Sequence, residues 1–150
     1  MVISSITGVS TPVVPATPAQ IDSAVVTQIE NKTTAKDVAN TMEVENYVRQ
    51  YFSDIPIMVQ LARCESHFKQ FDTGGSIHRG VANTLDVGVM QINEHYHLNT
   101  SVRENYNIYT LEGNTAYARE LYEQKGTAPW SSSKACWGKY ENKTLAMNTK

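Results

Sequence analysis

No run of about eighteen apolar residues occurs in the sequence, so nothing in it reads as a membrane-spanning helix. Basic runs are missing as well. The 13 Lys and Arg residues are scattered among 15 Asp and Glu, and a formal net charge of −2 offers no electrostatic footprint for nucleic acid or an anionic membrane. The opening MVISSITGVS lacks the positive n-region and apolar h-region of a clear signal peptide, which leaves export by another route or a place within a longer chain open. Metal signatures are absent: there is no H-E-x-x-H, and DTGGS holds too few acidic residues for a calcium loop. His95 and His97 in NEHYH therefore read as surface or groove histidines, and neither a metal nor a cofactor is expected. Cysteine is scarce, with Cys64 and Cys136 only. The count alone admits two thiols or one disulfide, and leans to thiols.

What is present fits one domain with a real core: 150 residues, 41% of them hydrophobic and 19% charged. Residues 1–40 read as a linker, because Pro12, Pro15 and Pro18 favour an extended segment and the stretch after them is polar. The spacing of Val44, Tyr47, Val48, Tyr51 and Phe52 predicts an amphipathic helix. SDIP then punctuates the chain, with Ser53 or Asp54 as N-cap and Pro56 in the first turn of a second helix. Gly74, Gly75, Gly80 and Asn83 break the middle into a small hairpin or irregular flap. A further helix is expected over 110–125, with Ala118, Leu121 and Tyr122 inward and Gly126 as its stop. SSSKACWGKY predicts a last short helix capped by a serine, with Trp137 in the core, and residues 141–150 read as a polar tail. The expected class is mainly α with a small β-hairpin or loop insert, its globular domain spanning 41–140.

One carboxylate stands out. In IPIMVQLARCESHF, residues Ile57, Leu61, Glu65 and Phe68 recur at four, four and three, which places Glu65 on the apolar face near the helix C-terminus. Burial and the negative end of the helix dipole both disfavour its charge and raise its pKa. A carboxylic acid that keeps its proton near neutral pH can act as a general acid. The second candidate is Asp86 in DVGVMQIN, which on its own also reads as a turn residue before Gly88.

Taken together, these stretches resemble the bacterial lytic transglycosylases of the lysozyme-like superfamily. Their Glu-Ser-x-Phe is matched by Glu65, Ser66 and Phe68, and their Gly-hydrophobic-Met-Gln by Gly88, Val89, Met90 and Gln91. The resemblance covers roughly residues 50–138. It implies an α+β lysozyme-like fold, peptidoglycan glycan strands as partner, and cleavage of the β-1,4 bond between N-acetylmuramic acid and N-acetylglucosamine by a monomer outside the cytoplasm. Glu65 is then the general acid/base, and the Gly88–Gln91 segment lines the sugar groove. The stretch is also similar to the c-type lysozymes, which have an aspartate two residues before the glycine and then Gln-Ile-Asn, as in Asp86, Gln91, Ile92 and Asn93. That likeness implies a nucleophile or ion-stabilising role for Asp86, the pattern for which lysozyme is the type case. Transglycosylases usually carry a Tyr-Leu pair in the later helix; here Leu121 precedes Tyr122 and Tyr117 lies one turn earlier, so Tyr117 is the displaced candidate. In the resuscitation-promoting factors a cysteine precedes the catalytic glutamate and pairs near the C-terminus after a Trp-containing loop. That resemblance implies a Cys64–Cys136 disulfide. Ser66 is expected to brace the flap more than to touch sugar.

Overall fold

A computed structural model describes the backbone of residues 40–147 and the side chains of residues 40–141. The linker expected over residues 1–40 lies outside the described residues except for its last position. The described chain is mainly helical around one small antiparallel sheet.

Helix α1 covers residues 40–51 and buries Val44 and Val48, with Phe52 just beyond its end. The corner that follows is held differently from the sequence expectation. Helix α2, Pro56–Ser66, has Ile55 at its N-cap with no side-chain cap, and Pro56 occupies the first turn. Asp54 instead receives two 2.8 Å hydrogen bonds from the Arg119 guanidinium, which also donates to the Tyr51 carbonyl at 2.7 Å. Those bonds hold the Asp54 carboxyl down at about 2.

Helix α2 presents Ile57, Met58, Leu61 and Ala62 to the core. It stops at Ser66, earlier than its apolar period implies. His67 and Phe68 adopt left-handed backbone conformations (φ 54° and 62°), and Phe68 reaches the core through that turn and not along the helix face. Glu65 is therefore the penultimate residue of the helix.

Strands β1, Asp86–Val87, and β2, Ile92–Asn93, pair antiparallel in the register Asp86 with Asn93 and Val87 with Ile92. Isolated bridges from Phe71 to Ile77 and from Arg79 to Val87 extend this into the expected flap. The Gly88–Gln91 segment is the hairpin loop. Buried polar side chains hold it by its backbone: Val89 N donates to Gln70 Oε1 (2.8 Å), Met90 N donates to Asn114 Oδ1 (2.9 Å), and Ser66 Oγ donates to the Val89 carbonyl (2.8 Å). Gly88 has φ +72°, and a Cβ there would lie 2.5 Å from Asn114 Nδ2 and 2.7 Å from Gln70 Oε1. Gly88→Ala is expected to cost about 2–4 kcal/mol in urea denaturation, from overpacking added to left-handed strain.

Helix α3, Glu94–Arg103, was not expected from the sequence. Its residues bury only Ser101 fully, so no apolar stripe announces it. Asn93 starts it by accepting hydrogen bonds from His95 N and Tyr96 N. Helix α4, Leu111–Lys125, begins one residue after the Thr110 cap and ends at Gly126 as expected. Ala118 and Leu121 are buried, but Tyr117 is the buried tyrosine and Tyr122 only half-buried. A short 3-10 helix, Ala128–Ser133, leads into helix α5, Lys134–Met147, whose backbone continues through most of the expected tail. Trp137 is in the core, as expected. A disulfide joins Cys64 of α2 to Cys136 of α5, with Cα atoms 6.0 Å apart.

Candidate active site

The last turn of α2, the β1–β2 hairpin and the 3-10 helix converge on one cleft. Gln91 of the hairpin loop lines it, and the buried remainder of the loop is tied by Trp130 Nε1, which donates to the Met90 carbonyl at 2.9 Å. Trp137 Nε1 in turn donates to the Trp130 carbonyl at 2.9 Å. Glu65 sits in the wall, half-buried. Two hollows meet there. One reaches Asn93, His97 and Trp130, and the other reaches His67, Lys69 and His78. Both are lined by Glu65, Asp86, Gln91 and Ser132, so the cleft passes on both sides of the carboxyl.

Burial pushes the Glu65 carboxyl above its ordinary pKa, and the negative charge of Asp86 pushes the same way. A hydrogen bond from Ser133 Oγ to Glu65 Oε1, 2.5 Å long, opposes them by favouring the ionised form. The upward effects win.

Asp86 is placed by strand register opposite Asn93. Its Oδ1 accepts from Asn93 Nδ2 (2.6 Å) and Asn83 Nδ2 (3.3 Å). The two candidate carboxyls thus share one cleft, but Asp86, a strand residue and not the turn residue its sequence context admits, also ties the hairpin together through Asn83 and Asn93. Asn93 lines the cleft while spending its Oδ1 on capping α3. Gln91 lines both hollows, at φ 49°, with Nε2 donating to the Gly88 carbonyl at 2.9 Å. Ser66 is buried and braces the flap, as expected, through the Val89 carbonyl.

Three other residues expected to touch sugar lie behind the cleft wall. Met90 is fully buried, its backbone N–H bonded to Asn114 Oδ1. Gly88 contributes closeness of packing. Tyr117 is 2% exposed, and its hydroxyl lies 3.0 Å from His97 Nδ1, so any influence on the cleft runs through His97. Burial lowers the His97 pKa, which favours neutral imidazole. Its neighbour in sequence, His95, is exposed against Tyr96. Among the described residues no group of three His, Cys, Asp or Glu is arranged to hold a metal ion.

Sequence reasoning missed Ser133, Gln70 and Asn114, whereas His97 lines the cleft, one of the two places its context admits. For Ser133 a signal existed: it lies three residues before Cys136, and a disulfide to Cys64 carries that stretch to the neighbour of Glu65. Chemically the arrangement offers a carboxylic acid whose pKa burial raises, a second carboxylate lining the same cleft, and amide and imidazole groups for hydroxyl-rich ligands. Comparison with protein-family models, with curated proteins and with solved structures gave no match.

Proposed function

We propose that the protein is a peptidoglycan-cleaving glycosidase of lysozyme-like fold, acting as a lytic transglycosylase with Glu65 as its general acid and base. The observation that carries this reading is the half-buried Glu65 carboxyl, raised in pKa and set where the cleft runs past it on both sides. A glycan strand lying along such a cleft brings a glycosidic oxygen to the acid with sugars on either side. Protonated Glu65 gives its proton to the leaving oxygen as positive charge builds on the adjacent ring. The resulting carboxylate then takes a proton from the sugar's own C6 hydroxyl, which closes a 1,6-anhydro ring and returns Glu65 to its starting state. Gln91, Asn93 and His97 supply hydrogen-bonding groups along the strand. The Glu-Ser-x-Phe and Gly-x-Met-Gln stretches, which touch through the Ser66 hydroxyl and the Val89 carbonyl beside this cleft, support the choice of substrate.

Asp86 decides between this chemistry and hydrolysis. Its ties to Asn83 and Asn93 favour a positioning and electrostatic role over nucleophilic attack. Asp86→Asn is then expected to keep cleavage within about tenfold of wild type, the scale of one pKa unit on the acid. A loss of several orders of magnitude, with water-terminated products in the wild type, would make the enzyme a lysozyme using both carboxyls.

The disulfide suits an oxidising, extracytoplasmic setting. No helix among the described residues is long and apolar enough to cross a membrane, and we take the working form to be a monomer on glycan strands. The deciding experiment is incubation with purified peptidoglycan and mass spectrometry of the soluble muropeptides. Products with 1,6-anhydro ends are expected. Reducing ends carrying one added water would replace the transglycosylase with a hydrolase. Release of nothing, with the protein pelleting with the wall, would reduce it to a binding module.

A further inference from the structure

Ser133 Oγ has two acceptors and one proton. Glu65 Oε1 lies 2.5 Å away and the Trp130 carbonyl 3.1 Å away. The hydroxyl can donate to only one of them at a time. When Glu65 is ionised, the donation goes to the carboxylate, where a charge-assisted bond is the stronger. When Glu65 is protonated, its own O–H can donate to Ser133 Oγ, and the serine proton turns to the Trp130 carbonyl. Neither arrangement leaves an orphan. The Trp130 carbonyl keeps a second donor, Trp137 Nε1 at 2.9 Å, whichever way the serine points.

We propose that Ser133 is a positioning residue that keeps Glu65 hydrogen-bonded in both of its protonation states, its hydroxyl proton turning between Glu65 Oε1 and the Trp130 carbonyl. This rests on the acid/base role of Glu65 given above and deepens it. A catalyst that first gives and then takes a proton at one carboxyl must be held in place in both forms, or it drifts between the two half-reactions. Ser133 keeps its own proton throughout. The proton given to the leaving oxygen comes from Glu65, and the one taken back comes from the attacking hydroxyl.

The surroundings suit this arrangement. The 3-10 helix fixes the serine backbone, and the Cys64–Cys136 bond ties the residue before Glu65 to the residue three after Ser133. Around Glu65, β1 presents Asp86 and α3 presents His97, while α4 contributes the apolar Leu121. His67, Lys69 and His78 line the adjoining hollow. On the far side, Arg63 of α2 is engaged by the Tyr140 hydroxyl of α5, and Lys134 of α5 lies over the Trp137 ring. Asp86 is the charge that acts on Glu65, and Ser133 is its hydrogen-bond donor.

The test compares wild type, Ser133→Ala and Ser133→Thr in two ways. The pH profile of peptidoglycan solubilisation is measured, and the Glu65 carboxyl is titrated by 13C NMR in the absence of substrate. Removing the donor withdraws support from the carboxylate, so in Ser133→Ala both midpoints are expected to move up by about one pH unit. Ser133→Thr, which keeps the hydroxyl, is expected to restore them. If Ser133→Ala folds with an unmoved carboxyl midpoint, Ser133 merely closes the 3-10 turn and the proposal falls. If the carboxyl midpoint moves but wild type releases nothing from the wall, the functional reading fails and the Ser133–Glu65 coupling stands. Should Ser133→Ala not fold, Ser133→Thr must reproduce the wild-type midpoint, and a shift there overturns the proposal.

Discussion

Glu65→Gln is expected to lower peptidoglycan cleavage by about 10²- to 10⁴-fold, because the amide has no proton to give to the leaving oxygen. The same substitution is expected to stabilise the fold at neutral pH. Glu65 is raised above its ordinary 4.5, chiefly by burial, so the folded protein holds a proton that the unfolded chain has already lost. The unfolded state binds fewer protons across that window. Wild-type stability therefore falls as pH rises from about 4.5 to the folded midpoint, and stays lower above it. Glutamine has no such penalty and still offers an oxygen to Ser133. Urea denaturation of both proteins from pH 4 to pH 8 checks this: the glutamine variant should gain on wild type as pH rises, and the two should converge at the acid end. An active Glu65→Gln protein would remove the acid from the mechanism. Stability curves that stay parallel would show that Glu65 is not desolvated in the fold.

The second large effect concerns the disulfide. It spans 72 residues of sequence, and chain-entropy arithmetic for a loop of that size gives about 4 kcal/mol. That is a large share of the total stability of a domain this size. Reduction, or the paired change Cys64→Ala with Cys136→Ala, is expected to lower unfolding free energy by about that amount. Cys136 is exposed, so dithiothreitol should reach it without prior unfolding. Activity should fall further than the folded fraction does, since the bond aligns the helix carrying the acid with the segment carrying Ser133. A denaturation midpoint unchanged by reduction would mean that α2 and α5 hold each other by packing alone.

Much of this fold is written in local periodicity, and the parts that are not have identifiable reasons. Helix α4 was legible because Ala118 and Leu121 keep the apolar period and Thr110 and Gly126 mark its ends. Helix α3 was not, because its placement comes from the Asn93 cap and its neighbours and not from a buried stripe. The oddity of Glu65 on an apolar face was visible from spacing alone, and the half-buried carboxyl follows from it. Phe68 misled the boundary: its residue type fits the helical period, yet it enters the core through a left-handed turn. Ser53 and Asp54 looked like caps because both have the right chemistry, but Arg119, far along the chain, takes Asp54. The serines before Cys136 posed the same problem in reverse. As a local signal they read as caps, whereas Ser133 finds its partner 68 residues away. Long-range polar pairing leaves no periodic trace in a sequence.

The hairpin loop Gly88–Gln91 has no regular backbone pattern, yet the amides of Val89 and Met90 are fully buried on carbonyl oxygens of Gln70 and Asn114. Loops ordinarily exchange their amide hydrogens through small local openings. Here any local opening strands two buried side-chain amides, so these protons should survive in heavy water about as long as those in the middle of α2. The backing of the cleft behind Gln91 would then be as stiff as the helices around it, and a strand entering the cleft would do the bending itself.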